Sequence, residues 1–125
     1  MNEQDNKQQT QPNPELWGKF IEAVMSRRIS GLFAKEVGAW VELHTDSERV
    51  AVQSRSYRLM SVSNVDHLCA ELRRWMDGRG WSWQLCNDRF MVWPGNETDD
   101  AWVGDSNGLN DHLSAVLWVI EREAE

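Results

Sequence analysis

The sequence is poor in cysteine and has no long apolar run. Only two cysteines occur in 125 residues, Cys69 and Cys86, and we expect both to be reduced thiols of a cytosolic protein. No stretch of about 18 apolar residues is present, so no membrane-spanning helix is predicted. The polar first residues lack the basic start and apolar middle of a secretion signal. We therefore expect a cytoplasmic protein.

Positive charge is missing from one end of the chain. Residues 95–125 hold eight acidic side chains against Arg122 alone, and this imbalance accounts for the whole net charge of −7. Direct binding to nucleic acid or to an anionic membrane requires positive surface, so neither partner is expected. An acidic region is complementary to a partner that carries a basic surface.

The motifs of common enzymes and metal sites are also missing. There is no nucleophile elbow, no glycine-rich phosphate loop and no zinc-protease motif. The three histidines lie on separate predicted elements without the spacing of metal ligands: His44, His67 and His112. We therefore expect no enzyme activity, no cofactor and no metal.

Hydrophobic spacing predicts three helices. The first dozen residues have little apolar content, and residues 1–13 are predicted to form a disordered polar tail. Apolar residues at helical spacing then follow three possible helix starts, Pro14, Asn64 and Gly108. We expect the first helix to end near Arg28 and the second at Gly78 or Gly80.

Alternating apolar residues predict four strands. They cover residues 37–43 and 49–54 as one hairpin, and residues 81–85 and 89–93 as a second, with a tight turn at Asn87 and Asp88. The predicted order is α-β-β-α-β-β-α. The expected fold is α+β, an antiparallel four-stranded sheet with three helices, forming a single domain over residues 14–125.

Tryptophan is abundant, with eight residues against one tyrosine. An exposed tryptophan is a common anchor of protein contacts. The acidic stretch contains one, Trp102, among Asp99, Asp100 and Asp105. These four residues are the predicted partner-binding site.

A second possible site is basic. Arg55, Arg58 and Arg73 come from segments that could converge in the fold. Arginines beside tryptophan rings can hold a phosphorylated small molecule by bidentate hydrogen bonds and stacking. Scattered solvated charges would explain the same residues.

Several short runs resemble the phage ABA-sandwich domain family. They are Asn64–Leu72, the Gly80–Leu85 strand, the Arg89–Trp93 strand and the final-helix run Leu113–Trp118. The resemblance implies a phage or prophage accessory protein, and many such proteins antagonise bacterial defence systems. It carries over no functional residues.

The leading hypothesis is a binding inhibitor of a bacterial defence complex, acting through the acidic, tryptophan-containing surface. Its partner would be a host protein or ribonucleoprotein complex with a basic surface, and the inhibitor itself a monomer or homodimer. One alternative is a protein that sequesters a small nucleotide signal in an arginine and tryptophan pocket. Another is a structural or regulatory phage protein.

Overall fold

The computed structural model describes residues 12–56, 58–86, 89–95, 101–106 and 108–124. Within these residues the chain forms three helices and seven strands. In chain order they are α1 (Pro14–Met25), β1 (Phe33–Val37), β2 (Trp40–His44), β3 (Arg49–Ser54), β4 (Leu59–Val62), α2 (Val65–Gly78), β5 (Trp81–Cys86), β6 (Arg89–Pro94), β7 (Trp102–Val103) and α3 (Leu109–Glu123).

The first two helices begin at asparagine caps. The side chain of Asn13 accepts a hydrogen bond from the Leu16 N–H at 3.1 Å, and Asn64 accepts one from the His67 N–H at 3.0 Å. Each cap satisfies a backbone donor that has no partner inside its helix. Asn13, the last residue of the predicted tail, thus belongs to the start of α1, while residues 1–11 lie outside the described part.

The strands form two antiparallel sheets. The first contains β1-β2-β3-β4 in that order, and the second contains β5-β6-β7. The α+β class is confirmed, but the prediction of one four-stranded sheet is wrong. The observed order is α-β-β-β-β-α-β-β-β-α.

Three strands that were not predicted separately, β1, β4 and β7, account for the difference. The predicted strand over residues 37–43 contains a turn, because Gly38 has a φ of 59° and separates β1 from β2. A two-residue hairpin with glycine first tolerates this positive φ. β4 and β7 have only four and two residues, too few for a periodic pattern. The predicted turn at Asn87 and Asp88 lies outside the described residues.

The helices connect the two sheets. Helices α1 and α2 contact the first sheet, α2 and α3 contact the second, and α3 contacts both other helices. The buried side chains form one cluster that draws on all three helices and both sheets. Among the described residues, no helix is long and apolar enough to cross a membrane.

One face of the four-stranded sheet is turned toward the core and the other is open. Val41, Leu43 and Gln53 are buried on the inner face, where Gln53 Oε1 accepts a hydrogen bond from the Trp17 indole at 2.7 Å. Because side chains alternate along a strand, Phe33 and Trp40 lie on the open face. The open face therefore carries large apolar side chains that the described part of the chain leaves exposed.

Candidate functional site

The predicted acidic site is only partly within the described residues. Asp99 and Asp100 lie outside them, and Asp105 is exposed. Trp102 is half-buried in β7, with its ring against Phe90 at a centroid distance of 6.2 Å. This ring therefore covers the core, and its predicted role as a partner anchor stays a prediction.

Close packing explains the position of the Trp102 ring. Gly104 follows the strand and is buried. A Cβ atom there would lie 2.5 Å from Asp111 Oδ1 and 2.6 Å from the Trp102 ring. The Ser106 hydroxyl donates a hydrogen bond to the Asp111 carboxylate. The segment is thus held against the start of α3.

The three predicted arginines make contacts in different parts of the fold. Arg55 donates two hydrogen bonds to the Gly38 carbonyl, at 3.1 and 2.8 Å, and forms an ion pair with Glu36 at 3.1 Å. It joins the turn after β3 to the turn after β1. Arg58 is exposed. Arg73 lies on α2, and its contacts are with the second sheet and α3.

Arg73 belongs to a polar cluster between α2 and α3. Its Nη1 donates to His112 Nε2 at 2.9 Å, and His112 Nδ1 donates to the Gly108 carbonyl at 2.8 Å. Its guanidinium also lies over the Trp83 ring, 5.1 Å from the centroid. His112 is stacked on Phe90 with a centroid distance of 4.2 Å. One nitrogen of His112 donates and the other accepts, so its ring is neutral.

Burial controls the charge of this cluster. Desolvation lowers the pKa of His112 to about 4, against the raising effect of its bond to the Gly108 carbonyl, and the positive charge of Arg73 lowers it further. Burial also raises the pKa of the nearby Cys69 thiol to about 12. A thiol that stays protonated at neutral pH is a poor nucleophile. Arg73, Cys69 and His112 line a cleft of about 260 Å³ in which Arg73 supplies the positive charge.

The exposed apolar side chains identify a different surface. Five large hydrophobic residues are exposed among the described ones: Met25, Phe33, Trp40, Leu85 and Val103. The first three lie at the end of α1 and on the neighbouring strands β1 and β2. Of all eight tryptophans, Trp40 alone is exposed, at 41%.

A groove runs between the end of α1 and β1. It encloses about 630 Å³, and its walls include the residues that we call the β1 rim: Met25, Arg27, Phe33, Ala34 and Glu36. Its deeper lining is apolar and includes Val24, Ile29, Leu32 and Val41. Since β1 is the outer strand of its sheet within the described residues, the groove borders a sheet edge.

The end of α1 adopts a left-handed turn at the β1 rim. The helix ends at Met25, three residues before the predicted end, and Arg27 has a φ of 60°. The Arg27 N–H donates to the Val24 carbonyl, and the Arg28 N–H to the Ala23 carbonyl. This is the Schellman arrangement, in which glycine usually occupies the position of Arg27. No described residue forms an ion pair with the Arg27 side chain.

The open sheet face next to the β1 rim combines aromatic and charged groups. The Phe33 ring stacks on His44 with a centroid distance of 5.4 Å. Glu42 accepts a hydrogen bond from His44 at 2.8 Å and pairs with Arg49 at 3.4 Å. The hydrogen bond from His44 holds the pKa of Glu42 below its ordinary value. These contacts link the Phe33 ring to polar side chains of β2 and β3 on the same face.

Nothing in the described part of the chain groups three or more potential metal ligands.

The sequence reasoning missed the β1 rim, because its residues meet only after the chain turns back at residues 26–32. The one local signal was Gly38 followed by Ala39, which marks a short hairpin at the end of β1.

Comparison with family models, curated proteins and solved structures found no match. The resemblance to the phage ABA-sandwich domain family therefore stays a prediction.

Proposed function

We propose that this protein acts by binding another protein through the β1 rim and the adjoining open sheet face. The observation that supports this is the exposure of Met25 and Phe33 on the walls of an apolar groove, with Trp40 exposed at the other end of the same sheet face. Scattered single apolar residues are normal on a protein surface, whereas exposed apolar side chains that border an apolar groove are typical of a contact site. The raised pKa of Cys69 and the lowered pKa of His112 argue against a Cys–His nucleophile in the Arg73 cleft.

The proposed biological role remains inhibition of a bacterial defence complex in the cytoplasm of the host. This part rests on the family resemblance and on the charge distribution. The acidic residues 95–125 would bring the protein toward a basic partner by long-range attraction. The β1 rim would then supply the desolvated contact that holds the complex together.

Capture from bacterial lysate with matched variants tests this proposal. Phe33→Ser removes an exposed aromatic side chain from the β1 rim, where Phe33 is 48% exposed. Leu85→Ser removes a comparable apolar side chain, 41% exposed, from the second sheet. Both variants should melt close to the wild type, because exposed positions contribute little to stability.

We expect the wild type and Leu85→Ser to capture the same partner and Phe33→Ser to lose it. A third variant, Asp105→Asn, separates the acidic region from the β1 rim, since it should slow association without abolishing capture. Equal capture by Phe33→Ser and Leu85→Ser would show that the β1 rim is not the binding surface.

A second candidate function is the binding of a small anion in the Arg73 cleft. The favouring observation is that Arg73 lines this cleft together with a single acidic residue, Asp66, and that its guanidinium is held over the Trp83 ring. Thermal shift with inorganic phosphate and a panel of nucleotides tests it. A stabilisation that disappears in Arg73→Lys but persists in Arg55→Lys would assign the ligand to this cleft.

A further inference from the structure

We infer that the β1 rim binds its partner by strand addition, taking an extended segment in which apolar and acidic residues alternate. The inference rests on the proposed function and specifies the chemistry of the partner. It follows from the outward backbone groups of β1, from two cations that form no ion pair with any described residue, and from the apolar lining of the groove.

The outward backbone groups follow from the hairpin register. Val37 pairs with Trp40 across the two-residue turn, and such a flanking pair exchanges backbone hydrogen bonds. Hydrogen-bonded and non-hydrogen-bonded pairs then alternate, so Lys35 bonds to β2, whereas Ala34 and Glu36 direct their backbone groups away from it. An added strand would bond to Ala34 and Glu36.

The same register places the side chains of an added strand. Residues opposite Ala34 and Glu36 would point toward the inner face, where the groove lies, and the residue between them would lie beside Lys35 on the open face. The groove lining is mostly apolar, so it suits apolar side chains. Lys35 forms no ion pair with any described residue, so a carboxylate beside it would be favourable.

Arg27 supplies a second cation at the groove. A residue other than glycine in the left-handed region costs about 1 kcal/mol, so glycine would serve the helix end better. Backbone strain of this kind is concentrated at functional positions. A carboxylate near the end of the added segment would give the Arg27 side chain the partner that it lacks within the described residues.

A second copy of this chain fits the edge less well. Antiparallel pairing of two β1 strands through Ala34 and Glu36 of each copy would place Lys35 directly opposite Lys35. Like charges in that arrangement are destabilising. Lysine on an outer strand is also a common guard against pairing between identical edges. A strand with an acidic residue at that position turns the same lysine into a favourable contact.

Amide exchange with two designed peptides tests the inference. The probe is a capped peptide of about seven residues that alternates valine and glutamate, and the control alternates valine and lysine. In the full-length protein, the valine–glutamate peptide should slow exchange at the amides of Ala34 and Glu36 by about tenfold or more. The Lys35 amide, already bonded to β2, serves as an internal reference. The valine–lysine peptide should bind about tenfold more weakly, because its charges repel Lys35 and Arg27.

Three variants complete the test. Ala34→Pro removes one outward N–H while keeping the bonds to β2, because proline is tolerated where a strand edge faces solvent. It should abolish binding of the peptide and of the captured partner. Arg27→Asn removes the positive charge and introduces asparagine, a residue type that tolerates the left-handed turn. It should weaken peptide binding severalfold. Arg28→Asn, which removes the neighbouring charge, should not.

Unchanged exchange at Ala34 and Glu36 with about 1 mM valine–glutamate peptide would overturn the inference, as would equal binding of the two peptides. Protection of both amides in the free protein that is lost on dilution would show that a second copy occupies the edge. Loss of the partner in Phe33→Ser, with retention in Ala34→Pro, would leave the proposed function standing and refute strand addition alone. Retention of the partner in Phe33→Ser would instead refute the proposed function.

Discussion

Lowering the pH from about 7 to about 5 should destabilise the protein through His112. The folded state keeps this side chain neutral, because burial lowers its pKa from 6.5 to about 4. The unfolded chain releases it into water, where the imidazole takes up a proton below its ordinary pKa. The folded pKa is the lower one, so the stabilising contribution is fully present above about pH 6.5 and is lost as the pH falls toward 4.

The size of the loss follows from the two pKa values. At about pH 5 the unfolded state is almost fully protonated at this histidine, whereas the folded state is still largely neutral. The difference amounts to about 2 kcal/mol between pH 7 and pH 5, a substantial share of the stability of a small domain. Glu42 does not interfere with this measurement. Its pKa is lowered in the folded state, so its contribution to stability is present above its ordinary pKa of 4.5 and is lost only below that value.

Urea unfolding monitored by tryptophan fluorescence measures the effect. The wild type should lose about 2 kcal/mol over this pH range. The control His112→Gln is less stable at neutral pH but should lose far less, because glutamine does not titrate. His44 and His67 are present in both proteins, so their contribution cancels. Equal pH dependence in the wild type and His112→Gln would refute the reasoning.

Three further substitutions test the packing. Arg27→Gly should raise the free energy of unfolding by about 1 kcal/mol in urea titrations, since glycine adopts the left-handed turn without strain; no gain would contradict the assigned helix end. Gly104→Ala should lower it by about 2 kcal/mol, because its Cβ would lie 2.5 Å from Asp111 Oδ1, and an unchanged melting temperature would show that this segment is loose. Trp17→Phe should cost about 2 kcal/mol or more, because the buried Gln53 oxygen loses the indole N–H that donates to it; a loss below about 0.5 kcal/mol would mean that Gln53 finds another partner.

The helices could be predicted from the sequence because their apolar spacing is long and regular. Trp17 and Phe20 on α1, and Leu68 and Leu72 on α2, are all buried as their spacing indicates. The end of α1 could not be predicted, because the helix ends in a left-handed turn at Arg27. Sequence reasoning looks for glycine in that position, and Gly31 was the expected signal.

The sheets could be predicted only in part. Strands β3, β5 and β6 are long enough for their alternation to be visible, whereas β7 has two residues and depends on its partner Met91–Val92. The second sheet is separate because β6 pairs with β5 and with β7, and not with the first hairpin. Such pairing between distant segments leaves no periodic pattern in the chain.

The binding surface was harder still to predict. Sequence reasoning chose Trp102 because it stands among acidic residues, but its ring packs on Phe90. Trp40 reads in the sequence as part of an ordinary alternating strand, although it is the exposed tryptophan. Exposure depends on which sheet face the helices cover, and this is decided by packing rather than by neighbours in the chain.

Site-specific photo-cross-linking in bacterial cells tests the central claim most directly. A benzophenone amino acid would replace Phe33 in one variant and Leu85 in another, since both positions are exposed and lie on different sheets. The account predicts that irradiation joins a partner protein to the Phe33 variant and not to the Leu85 variant. An adduct at Leu85 alone, or none at Phe33, would contradict the claim that this protein acts by binding through the β1 rim.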